Sequence, residues 1–88
     1  MAELVITCPD QPEQRVEIRG DVTIGRGDDC TVFLAEKKAS RRHLTIRPLP
    51  GGGFVAEDQH SSNGTWFEEQ RILRHLLADG DVVRIGDT

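Results

Sequence analysis

The chain has 88 residues, with 11 Lys and Arg against 15 Asp and Glu and a formal net charge of -4. A chain this short makes one small domain that buries only about 60–65% of its unfolded surface. Hydrophobic residues at 36% and charged residues at 30% suit a folded domain with a polar surface, and no run approaches the ~18 apolar residues of a membrane helix.

The N-terminal "MAELVITCPD" carries no basic leader and no cleavage-like site, which predicts a cytoplasmic protein. Cys8 and Cys30 then read as reduced packing residues. Neither has a second Cys or His close by, so no metal site is expected. From here the apolar residues recur with a period of two. Leu4, Ile6 and Cys8 share one face, and Val16 and Ile18 alternate with Arg15, Glu17 and Arg19. Val22 and Ile24 continue the pattern, followed by Val32 and Leu34, Leu44 and Ile46, Phe54 and Ala56, and finally Val83 and Ile85. Period two marks half-buried strands. Turn residues separate them at Pro9-Asp10, Gly20-Asp21, Gly27-Asp28, Pro50 to Gly53, Asn63-Gly64 and Asp79-Gly80. Residues 71–78, "RILRHLLA", fit a short helix through Leu73, Leu76 and Leu77, and fit two short strands equally well. The fold class is all-β, a sandwich or a barrel. No linker or internal repeat interrupts residues 1–88, which read as a single domain.

One stretch stands out chemically. Lys37, Lys38, Arg41 and Arg42 gather where the loop before Leu44 enters a strand, in a chain that is otherwise acidic. Three short motifs surround this cluster in fixed order. "TIGRG" is followed by "SRRH", fourteen residues after Arg26, and then by "SSNGTW". With "HLTI" and the closing "LADGDVVRIGD", the pattern resembles the forkhead-associated (FHA) domain, a phosphothreonine-binding module, from Val22 to Gly86. Each motif alone is common; their order and spacing carry the resemblance.

The resemblance implies a β-sandwich of about eleven short strands with its ligand on the loops at one end. It implies that Arg26 binds the phosphate, that Ser40 donates its hydroxyl to it, and that Arg41 adds a further phosphate contact. Ser62 and Asn63 would hold the peptide backbone, while Gly25, His43 and Gly64 support the site. It also implies a final strand after the one containing Val83, lying between that strand and the first. No residue follows Thr88 in this sequence, so a place is expected to be open there. Either the first strand shifts to pair with residues 82–86, or a neighbouring chain lends a strand and forms a dimer, or these residues are one module of a longer protein.

The residue chemistry agrees with these roles. A phosphothreonine brings roughly -1.5 to -2 charges and three acceptor oxygens, and an arginine presents a planar fork of donors to match. Charge-assisted bonds of about 1.5–3 kcal/mol each, less some desolvation, give roughly 3–5 kcal/mol of preference for the phosphorylated peptide. The expected partner is therefore a phosphothreonine protein downstream of a Ser/Thr kinase, bound at roughly micromolar affinity, with no cofactor. Arg42 is expected to point outward, and Trp66 and Phe67 to pack. A scaffold of the same fold without phospho-dependence is the alternative. Nucleic acid is disfavoured by a pI near 5.2 and few aromatic candidates. A hydrolase built on Ser40 or Ser62 with His43 and Asp58 is disfavoured because no nucleophile elbow is present.

Overall fold

The computed structural model describes residues 2–9 and 11–88. Asp10, half of the Pro9-Asp10 turn, lies outside the described residues.

Ten strands are present among the described residues. They are β1 (Glu3–Ile6), β2 (Gln14–Glu17), β3 (Val22–Gly25), β4 (Val32–Phe33), β5 (Leu44–Pro48), β6 (Phe54–Asp58), β7 (Thr65–Phe67), β8 (Gln70–Ile72), β9 (Arg74–Leu77) and β10 (Val83–Arg84). One layer is a five-stranded sheet in the order β4-β3-β5-β6-β9. The remaining strands form a two-stranded sheet, β1-β2, and a three-stranded sheet, β10-β7-β8. The period-two residues face inward as alternation requires. Val22, Ile24, Val32, Leu34, Leu44, Ile46 and Ala56 join Ile6 and Ile85 in one buried core. The β5–β6 hairpin turns through Gly51, Gly52 and Gly53, each at positive φ, closed by the Leu49 N–H donating to the Gly53 carbonyl at 2.9 Å.

Residues 71–78 resolve into strands. β9 pairs antiparallel with β6 from Phe54↔Leu77 to Glu57↔Arg74. The helical stripe is accidental: Leu73 and Leu76 are 72% and 65% exposed, so they do not face a core together. A segment of this length gains more from completing the edge of an existing sheet than from an isolated helical turn.

Of the three expected alternatives, the shift of the first strand onto residues 82–86 does not occur. β1 pairs with β2 from Glu3↔Glu17 to Ile6↔Gln14, and β10 pairs with β7. Between β1 and β10 lies an apolar cleft of about 270 Å³. Its floor is Ile24, Leu44 and Ile46 of the large sheet with Leu34 just past β4, and its sides come from residues 4–7 and 82–85. Residues 85–88 close on themselves, with Ile85 and Thr88 exchanging backbone bonds of 2.9 Å. The Thr88 hydroxyl reaches Glu36 Oε1 at 3.0 Å at one end of the cleft.

Candidate functional site

The strand-to-loop junction after β3 begins the site. The Arg26 N–H donates to the Ser40 carbonyl at 3.0 Å, the Gly27 N–H to the Arg41 carbonyl at 2.9 Å, and the His43 N–H to the Ile24 carbonyl at 2.9 Å. These bonds zip residues 24–27 to residues 40–43. Gly25 permits the approach: a Cβ there would sit 2.2 Å from the Arg41 carbonyl oxygen and 2.8 Å from that of Ser40. Both obstacles are backbone atoms, which cannot rotate aside.

The zipper sets the arginines. Arg26 is exposed, and its Nε–H donates to the Ala39 carbonyl at 2.6 Å. That bond fixes the plane of the guanidinium while the two terminal nitrogens remain at its far end. Arg41 is also exposed beside it. Arg42 differs: its Nη2 lies 2.6 Å from Asp29 Oδ2. The pair holds Asp29 below the usual carboxylate range through the hydrogen bond and then the charge of Arg42. Lys37 and Lys38 are exposed, and the Lys38 carbonyl accepts from the Asn63 side-chain amide at 3.0 Å.

His43 joins this half of the site to the other. Its ring is fully buried, at 0% exposure. Nδ1 accepts the Ser40 backbone N–H at 3.0 Å, so the proton sits on Nε2, which donates to the Gly64 carbonyl at 2.8 Å. One imidazole thus spans the 40–43 and 61–64 loops. The Ser40 hydroxyl accepts the Ser62 N–H at 3.3 Å, leaving its own proton to be donated outward. Gly64 has φ +86, and a Cβ there would lie 2.7 Å from Arg71 Nε. Asn63 is not among the residues of positive φ, so Asn63-Gly64 is no type I′ hairpin turn, which needs φ > 0 at both positions. Its carbonyl accepts the Trp66 indole N–H at 3.1 Å. Trp66 and Phe67 are half-buried.

Beneath the 61–64 loop stands Asp58, whose side chain is 2% exposed. It accepts the Ser61 N–H at 3.0 Å, the Ser61 hydroxyl and the Thr65 hydroxyl at 2.8 Å. The Ser61 oxygen in turn accepts the Gly64 N–H at 3.1 Å. Burial pushes the Asp58 carboxyl up, but the Ser61 and Thr65 bonds together hold it below the usual range, with His43 a smaller influence. Asp58 entered the sequence reading only through the disfavoured hydrolase and Ser61 not at all, and neither was read as a support of the binding loops. A lone Asp ending an alternating strand carries no spacing signal, and Ser61 reads as one more polar loop residue.

Arg26, Ser40, Arg41, Ser62 and Asn63 therefore occupy adjoining loops, with Gly25, His43 and Gly64 below them. The FHA-domain family profile matches residues 22–86. The chain is an FHA domain.

FHA domains are phosphothreonine-binding modules. The domain is 46% identical over 68 residues to an ABC transporter ATP-binding/permease protein of Mycobacterium tuberculosis, covering 77% of this chain and 8% of the transporter. Among solved structures, it resembles the FHA domain of FhaA complexed with the intracellular domain of another protein. That match has a TM-score of 0.82 at 35% identity and covers 97% of this chain and 90% of the other. It also resembles Mycobacterium tuberculosis EmbR in complex with a low-affinity phosphopeptide, with a TM-score of 0.80 at 29% identity, covering 97% of this chain and 22% of EmbR. The match spans only 8% of the transporter and 12% of full-length FhaA. Among the described residues, no helix is long and apolar enough to cross a membrane.

Proposed function

We propose that this FHA domain docks a phosphothreonine segment of a partner protein on the loops at the β3 end of the large sheet. Arg26 and Arg41 bind the phosphate, Ser40 donates its hydroxyl to it, and Ser62 and Asn63 hold the peptide backbone. Gly25, His43 and Gly64 keep the loops in place. The observation that carries this reading is the state of Arg26. Its Nε is spent on the Ala39 carbonyl, so the fork is oriented with two terminal nitrogens left for a phosphate. The complexes of FhaA with a partner's intracellular domain and of EmbR with a phosphopeptide support the same use here. The upstream step is a Ser/Thr kinase, and the setting is cytoplasmic.

The site binds and does not catalyse. A serine nucleophile needs a base facing its hydroxyl. Both ring nitrogens of His43 are engaged elsewhere, one by the Ser40 backbone N–H and one by the Gly64 carbonyl.

Titration with phosphothreonine peptides from a degenerate library, with unphosphorylated controls, tests the proposal. Arg26→Ala should abolish binding and leave the melting temperature close to wild type, because the side chain is exposed. Wild-type affinity in Arg26→Ala would overturn the assignment of the phosphate site.

A further inference from the structure

Arg26 and Asn63 come from different loops, yet one short turn orients both. The Arg26 Nε–H donates to the Ala39 carbonyl at 2.6 Å, and the Asn63 amide donates to the Lys38 carbonyl at 3.0 Å. Two consecutive carbonyls of residues 36–39 thus aim one side chain each. Glu36 holds this turn. Its backbone carbonyl accepts the Ala39 N–H at 3.0 Å. That N–H shares a peptide plane with the Lys38 carbonyl, so the plane facing Asn63 is pinned at both ends. The Glu36 side chain adds a second hold, with Oε2 accepting the Lys38 N–H at 3.2 Å. Its other oxygen reaches a segment 51 residues away, where Oε1 accepts the Asp87 N–H at 3.1 Å and the Thr88 hydroxyl at 3.0 Å. Gly86 is shaped to the same carboxyl. It is buried, with φ +58, and a Cβ there would lie 2.6 Å from Glu36 Oε2. Burial pushes the Glu36 carboxyl up, but the Lys38 and Asp87 N–H groups and the Thr88 hydroxyl hold it below the usual range.

We infer that Glu36 is a positioning residue of the dock: it clamps the 36–39 turn to the 86–88 turn and so aims Arg26 and Asn63. The inference rests on the phosphothreonine reading of the loops. Charge excludes a direct role, since a carboxylate repels a phosphate and both oxygens of Glu36 already accept from this chain. Donor geometry supports the clamp. The two backbone N–H groups, of Lys38 and Asp87, lie at opposite oxygens, and neither can turn to accept. A carboxylate satisfies both; an amide turns its NH₂ on one of them. Glu36→Gln therefore keeps the volume and breaks the clamp.

Titration of a phosphothreonine peptide and its plain counterpart into wild type and variants tests this, with the NMR signals of the Arg26 Nε–H and the Asn63 amide followed in parallel. Glu36→Gln should weaken binding of the phosphorylated peptide by roughly five- to tenfold, the scale of one misaligned hydrogen bond, and should shift both signals. Gly86→Ala drives a Cβ into the Glu36 carboxyl from the other side, and should weaken binding and shift the same signals. In an Asn63→Ala background one of the two aimed side chains is gone, so Glu36→Gln should cost distinctly less there. Phe54→Leu, at the end of β6 away from Asp58, is the control: it should lower the melting temperature and leave affinity and both signals unchanged. Wild-type affinity in Glu36→Gln overturns the clamp and leaves the dock standing. So does an undiminished cost in the Asn63→Ala background with the Arg26 signal unmoved, or an equal loss of affinity in Phe54→Leu. Equal binding of the phosphorylated and plain peptides by wild type overturns the dock itself and the clamp with it.

Discussion

Replacing Asp58 with Asn tests whether one buried carboxylate holds the 61–64 loop in its binding shape. The two side chains have nearly the same volume, so packing is kept. The carboxylate accepts from the Ser61 N–H at 3.0 Å and from the hydroxyls of Ser61 and Thr65. An amide has one oxygen, and its NH₂ must then face at least one former donor. Either hydroxyl can rotate to accept, but the Ser61 N–H cannot. The amide oxygen therefore stays on the Ser61 N–H, both hydroxyls must turn to accept from the NH₂, and the charge assistance of these bonds is lost in a site that is 2% exposed, a cost of about 2 kcal/mol. For a domain of this size that lowers the melting temperature by roughly 8–16 °C. Binding should weaken as well, because Ser61 also accepts the Gly64 N–H at 3.1 Å, and Gly64 adjoins Asn63. Acid provides a second readout. The folded carboxyl sits below its ordinary value of about 3.9, despite burial, because Ser61 and Thr65 hydrogen-bond its charged form. Its contribution is therefore complete above the ordinary value and is lost as pH falls through the folded pKa. The gap between wild type and Asp58→Asn, measured by urea melts, should be widest near neutrality and narrow below about pH 4. A variant that melts within about 2 °C of wild type near neutrality, or a gap that persists unchanged in acid, would refute the reasoning.

His43→Ala strands the Ser40 N–H and the Gly64 carbonyl. It should cost about 2 kcal/mol by urea denaturation and weaken phosphopeptide binding; unchanged melting would show that the bridge is dispensable. Matched peptides should bind with phosphothreonine tighter than phosphoserine by roughly 1 kcal/mol, the worth of one buried methyl, and equal affinities in calorimetry would argue against a methyl niche. Adding ten to fifteen native residues after Thr88 should raise the melting temperature if they supply a strand to the cleft between β1 and β10. Unchanged melting and unchanged mass in solution would show that the fold does without it.

The strands were legible because one face of each is buried, which forces period two on Leu4 and Ile6, Val22 and Ile24, and Leu44 and Ile46. Residues 71–78 were ambiguous for the converse reason. β9 is an edge strand in which only half-buried Leu77 packs on the core while Leu76 stands in solvent, so its alternation is faint in the sequence, and three leucines fell by chance at helical spacing. The loop motifs around Arg26, Ser40 and Asn63 were legible through their order and their resemblance to a family. The supports underneath were not. Asp58 acts on residues three and seven positions away, and Asn63 meets Lys38 across 25 residues. Such contacts depend on which loops the topology brings together.

The backbone zipper between residues 24–27 and 40–43 has a kinetic consequence. Its N–H to carbonyl bonds form on folding, with or without a ligand, so an incoming peptide meets loops already in place. The entropy of ordering them is settled before encounter. Association should then behave as rigid docking with a single phase, its rate set by diffusion and by the attraction of Arg26 and Arg41 for the phosphate, and therefore slowed by added salt. Differences in affinity among phosphorylated sequences should appear in how long each stays bound.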